Sequence, residues 1–191
     1  MTAAGLYPAE HRALRELSAF ARQLVGHWER LGGRLGAPLL GDGAATAREM
    51  IGELTERCAA FGIQLYPASQ GVGGSAAGVR GVTDLMLERN QALRSAVHDI
   101  QHVTMLLGYL GELAARRGDA DVAAWHRTWE TRLRAIEDEA RALAVAEGSE
   151  PDRAIEPAGS GGLGRAGHAV ANGLGTLGEA LDGAVGRLRK R

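Results

Sequence analysis

Apolar residues return every three or four positions in four separate stretches of this chain, and glycine or proline breaks the pattern between them. Behind Pro8, the first stretch runs through Leu14, Leu17, Ala21, Leu24, Trp28 and Leu31 and stops at Gly32 and Gly33. A turn-like segment from Gly36 to Gly43 precedes the second, in which Ala47, Ile51, Leu54, Cys58 and Phe61 repeat the spacing until Gly62. The third, Val82 to Arg117, places Met86, Leu93, Ile100, Leu107 and Ala114 a heptad apart, with Ala96, Val103 and Leu110 between them. In the fourth, Val122, Trp125, Trp129, Leu133, Ile136, Ala140 and Leu143 form one stripe behind a cap from Asp119 or Asp121. This period is that of an amphipathic helix, able to hide one face only.

Four such faces are most simply buried against one another, so the expected fold is all-α, a four-helix bundle. Leu24, Leu54, Ile100 and Ile136, each central to its stripe, should lie in the core. Aromatic residues make up only 4% of the chain, so Leu, Ala and Val supply that core. Ile63 to Gly81 carries glycines and a proline that interrupt any period. Its 19 residues could extend roughly 60 Å, enough for a crossover after the second helix but not requiring one, so up-down-up-down order stays open beside it.

The expected organisation is a bundle over residues 1–148, a linker over 149–162 and a Gly-rich amphipathic segment over 163–191. That last segment has its own apolar repeat, Leu163, Val170, Leu174, Leu177, Leu181, Val185 and Leu188, and ends on Arg187, Arg189, Lys190 and Arg191. Seven glycines from Gly164 to Gly186 each cost a helix roughly 1 kcal/mol relative to alanine, so it should be marginal alone. Burial of its leucine face against a helix or lipid surface would offset that cost, and the basic end suits an anionic surface.

The net charge of −1 gives no reason to expect a nucleic-acid partner. A single cysteine, Cys58, excludes an intramolecular disulfide and a cysteine-rich zinc site. It sits on an apolar stripe with no paired base, as a structural thiol would. Residues 1–8 lack the basic and apolar regions of a signal peptide, so the expected location is cytoplasmic, peripheral to a membrane if the basic segment binds one. Arginine almost replaces lysine, a usage resembling that of high-GC bacteria.

Candidate chemistry centres on His98-Asp99-Ile100-Gln101-His102. Histidines at i and i+4 share a helical face and can bind one metal ion, and Asp99-x-x-His102 is a carboxylate variant of a Glu-x-x-His step. On these residues, and on two helices, a long connection and two more helices over roughly Pro8 to Glu147, the chain resembles the ferritin-like superfamily. The His-x-x-x-His pair also resembles DinB-like metal-binding bundles. These resemblances imply a divalent metal ion as cofactor, held by His98, Asp99 and His102. An up-down-up-down order would instead bring His27 and His126 together near Glu130 as an alternative set, whereas a ferritin-like crossover would put them at opposite ends. A second Glu-x-x-His or Asp-x-x-His is absent from the helices. Helix geometry also turns His98 and His102 about 160° from Ile100, away from the core, and leaves His27 and His126 about 60° from the centres of their stripes.

Gly71-Val72-Gly73-Gly74-Ser75 lacks the Gly-Lys-Ser/Thr ending of a phosphate loop, and Trp125 with Trp129 is a packing pair before it is a ligand platform. No catalytic or cofactor-binding residue is assigned. The leading expectation is a non-enzymatic helical interaction or scaffold protein. Its partner, a protein or an anionic membrane surface, would meet Leu174, Leu177, Leu181, Arg187, Arg189, Lys190 and Arg191. A homo-oligomer is compatible with this pattern.

Overall fold

A computed structural model describes residues 5–65 and 87–158. It is all-helical: α1 is Pro8–Leu35, α2 Pro38–Ala60, α3 Arg89–Arg117 and α4 Ala120–Ala146, followed by a 3-10 turn, Glu147–Ser149, and a short α5, Pro151–Ala154. Among the described residues no helix is long and apolar enough to cross a membrane.

Direction follows from the ties between helices. Glu10, near the start of α1, binds Arg117 at the end of α3, while the Leu35 carbonyl at the end of α1 accepts from Arg89 at the start of α3. These two helices are therefore antiparallel. Glu53 of α2 meets Trp125 and Trp129 of α4, and Gly43 of α2 lies against Ile136, so that pair is antiparallel too. Phe61, just past α2, sits under Arg117, at the opposite end of the bundle from Arg89. The order is up, down, down, up, and residues 66–86 connect opposite ends of the bundle.

The core takes Leu24, Leu54 and Ile100 as expected, each at most 1% exposed. Ile136 differs: it is only partly buried, and the positions facing inward on α4 are Leu133 and Glu137. The Glu137 carboxylate is accommodated there by Arg141 one turn on, 3.4 Å from one oxygen, and by the Thr104 hydroxyl, shared with the Gln101 carbonyl, 3.2 Å from the other.

Three boundaries also differ. Gly32 and Gly33 do not stop α1; it ends at Gly36, whose positive φ of 61° lets the last turn close with an Ala37 amide bond to the Gly32 carbonyl. The segment from Gly36 to Gly43 is not an extended turn, because Pro38 starts α2 at its first position and the glycines continue inside it. Gly43 is there for space: a Cβ would lie 2.3 Å from Cζ3 of the fully buried Trp28. Helix α3 begins at Arg89 and not at Val82, since Glu88 is extended and bridges to Pro157.

That bridge gives the start of the expected linker a definite path. Arg89 donates its amide to the Glu156 carbonyl, Ala158 donates to the Leu87 carbonyl, and Ala158 is buried. Gly71 to Ser75, Met86 and the whole amphipathic segment from Leu163 to Arg191 lie outside the described residues.

The Trp28 contact yields a direct test. Gly43→Ala should destabilise the protein by about 1–3 kcal/mol through overpacking, despite alanine's better helix propensity. Chemical denaturation checks this, and a neutral or stabilising result would mean that Trp28 can move aside.

Candidate functional site

The ionisable groups inside the bundle are where chemistry would reside, and most are tied to a neighbouring helix. His27 is 2% exposed and its Nδ1 lies 2.5 Å from Oδ2 of Asp99, itself 6% exposed. One residue on, the Trp28 indole donates to the Ala96 carbonyl at 3.2 Å. Asp99 thus turns from the His98–His102 face into the α1–α3 seam, with His27 as its partner.

His98 is exposed, as its position on the helix implies. His102 is half-exposed: its Nε2 lies 3.1 Å from Glu16 and its ring packs on Phe20 with centroids 4.1 Å apart. The three candidates His98, Asp99 and His102 therefore engage different surroundings.

His126 does not meet His27. It packs beside Gly111 near the Glu10 end of the bundle, whereas His27 is level with Asp99 and Ala96. Glu130 lies half-buried over Gly108 of α3 and accepts from Arg134. Among the described residues no group of three or more His, Cys, Asp or Glu side chains comes together in a way that could hold a metal ion.

A cavity of about 10 Å³ is lined by Glu10, Cys58, Arg57, Trp125, His126 and apolar neighbours. That is room for one water at most. His126 Nδ1 is buried and has no hydrogen-bond partner among the described residues. Burial, aided by the charges of Arg57 and Arg117, pushes its pKa down to about 4, so the ring is neutral. Burial also pushes the Cys58 thiol up to about 11. A neutral thiol beside a neutral imidazole is not an activated nucleophile.

Glu10 is engaged elsewhere: its two oxygens take Nη2 and Nε of Arg117 at 3.0 and 3.3 Å, and one also accepts from the Tyr7 amide. At the other end an open hollow of about 340 Å³ lies between the α1–α2 turn and the end of α4, with Arg89 bonded to the buried Glu147 at 2.8 Å. Arg153 on its rim binds Glu150.

The two tryptophans form the α2–α4 contact. Both indoles donate to the same oxygen of Glu53, at 2.6 and 3.0 Å, while Arg57 and Arg132 cover their rings. Trp125, then Trp129, holds the Glu53 carboxyl below its ordinary value. The sequence reading missed Glu53; an acidic residue opposite an i, i+4 tryptophan pair becomes visible only when the helices are docked.

The chain matches no family model, no curated protein and no solved structure in comparisons with each.

The neutral His126 has a consequence for acid stability. The unfolded ring takes a proton near pH 6.5 and the folded one only near pH 4, so its contribution is complete above pH 6.5 and declines as pH falls toward 4. The decline should be on the order of 3 kcal/mol. In His126→Leu, denaturation midpoints should fall less steeply across this window; an unchanged slope would show that other groups carry the acid sensitivity.

Proposed function

We propose that this protein is a non-enzymatic helical interaction or scaffold protein, with the bundle as its rigid body and the C-terminal segment recruiting a partner protein or an anionic membrane surface. One observation carries the reading of the body: most of its buried ionisable groups, His126 and Cys58 apart, are matched across helix seams, Glu10 with Arg117, His27 with Asp99, Glu137 with Thr104 and Glu147 with Arg89. Groups spent in this way fix helices relative to one another. The recruiting role rests on the sequence of the segment, its leucine seam and its four basic residues near the end.

Binding to phosphatidylserine-containing vesicles tests recruitment. The full chain should sediment with them, Leu174→Ser with Leu177→Ser and Leu181→Ser should abolish this, and neutralising Arg187, Arg189, Lys190 and Arg191 should remove its salt-sensitive part. Binding that survives the serine substitutions would assign attraction to charge alone; no binding, to vesicles or to any partner that depends on the segment, would end the recruitment reading.

The order of the helices supports a second reading, kinship with ferritin-like bundles, which also join two helical hairpins through a long crossover. The divalent metal implied by that kinship does not fit the candidate residues as arranged: Asp99 faces His27, His102 faces Glu16 and Glu130 faces Arg134. Replacing His98 and His102 together by Gln should change stability by less than about 1 kcal/mol, as expected for a surface pair, and leave metal content the same. Loss of a stoichiometric metal, measured on purified protein, would favour the second reading over the first.

A further inference from the structure

The open hollow of about 340 Å³ brings together two helix ends, and each lacks the charge that such an end attracts. Its wall includes Ala37, Pro38 and Leu39 at the start of α2, and Ala146 and Glu147 at the end of α4. No side chain caps the α2 N-terminus and no acidic residue stands in its first turn, so the positive end of that helix has no anion of its own. The last turn of α4 holds no basic residue, so the negative end of that helix has no cation of its own.

Glu147 is an independent sign that a partner is missing. It is 6% exposed, Arg89 donates to its Oε1, and its Oε2 is buried without a hydrogen bond among the described residues. Leaving a buried carboxylate oxygen bare is unfavourable, so such an atom calls for a donor. Because Glu147 lines the hollow, that donor is one a ligand held there can bring.

The same walls fix the character of the ligand. Four charged side chains line the hollow, Arg89, Glu147, Glu150 and Arg153, two of each sign, so a zwitterion leaves the balance undisturbed where an ion of either sign would upset it. Arg89 is committed to Glu147 and to the Leu35 carbonyl. Arg153 is paired with Glu150 in an exposed bridge, which rearranges easily. Leu39 and Leu143 make part of the wall apolar, and the volume suits a small molecule.

We propose that this hollow binds a small aliphatic amino acid as its zwitterion. The ammonium group meets Glu147 at the end of α4, the carboxylate meets the α2 N-terminus and Arg153, and the side chain lies on Leu39 and Leu143. A residue in a peptide lacks at least one of the two charges, so the site selects the free amino acid. The bundle thereby has a ligand-binding role that does not rest on the recruiting segment.

Calorimetric titration of the full chain with L-leucine tests the site. Leucine should bind saturably, one per chain, while isoamylamine, which lacks the carboxylate, and isocaproate, which lacks the ammonium group, should each bind about tenfold more weakly or less. Ala146 is exposed on the wall, so Ala146→Trp should fill the hollow and abolish binding with the denaturation midpoint nearly unchanged. Glu147→Gln should weaken binding about tenfold, by loss of the charged acceptor. If that variant fails to fold without its Arg89 pair, Ala146→Trp decides alone. Absence of saturable leucine binding would overturn the proposal, as would undiminished binding in Ala146→Trp. Isocaproate or isoamylamine binding as tightly as leucine would also overturn it, by showing that one of the two charges is not read. Vesicle sedimentation is a separate measurement: leucine should bind whether or not the chain binds vesicles.

Discussion

The seam between α1 and α3 sets the rest of the structure. Along its length Glu10 meets Arg117, His27 meets Asp99, Trp28 reaches the Ala96 carbonyl and Arg89 reaches the Leu35 carbonyl. Shifting α3 by one turn would separate all four at once, leaving buried charges and donors without partners. Removing a partner from a single buried pair already costs roughly 3–5 kcal/mol. Direction and register are therefore specified by polar groups, where the leucine stripes alone would tolerate several alignments. Because α1 and α2 form a hairpin, an antiparallel α1–α3 pair makes α3 run with α2, so α2 ends and α3 begins at opposite ends of the bundle.

Once α3 is placed, α4 has little freedom. A turn at Gly118 sends it back along α3, where Gly111 admits the His126 side chain and the Thr104 hydroxyl meets Glu137. Its other flank then closes the ring through Trp125 and Trp129 on Glu53. That last contact is largely polar and partly open to water, unlike the close α1–α2 packing in which Gly43 lets Trp28 lie against the backbone. The bundle is thus apolar along most of its centre and bound at its seams by side chains that reach across.

The four long helices and most of the core were legible from period alone, because Leu24, Leu54 and Ile100 lie at the centre of regular stripes; the short α5 was not, since its four residues carry no period. The errors share a cause: each depended on a partner from another helix. Gly32 and Gly33 read as a stop, yet α1 continues because Leu35 packs in the core, and Gly43 reads as a loop residue until Trp28 is seen beside it. Ile136 looked central, yet Glu137 beside it is the more buried, with Thr104 as its partner on α3. Asp99 was grouped with His98 and His102 because they are neighbours in sequence, while its actual partner is 72 residues away in His27. Periodicity locates a face, and only the docked neighbour decides which polar residue at its margin is turned inward.

The same reasoning bears on how a chain with this interior acts on anything else. Buried ionisable groups become catalytic when some part of their hydrogen-bonding or charge is left for a substrate and when a substrate can reach them. Here Glu10 is shared between Arg117 and the Tyr7 amide, Asp99 is on His27, and the space beside His126 admits one water at most. Such groups define the body. The described body also exposes large apolar side chains to water: Met105 and Tyr109 on α3, Val145 near the end of α4, and Tyr7 and Ile155 beside the helix ends. Unsatisfied apolar surface is relieved by association and not by chemistry. In this chain the matched interior groups fix the register of the helices.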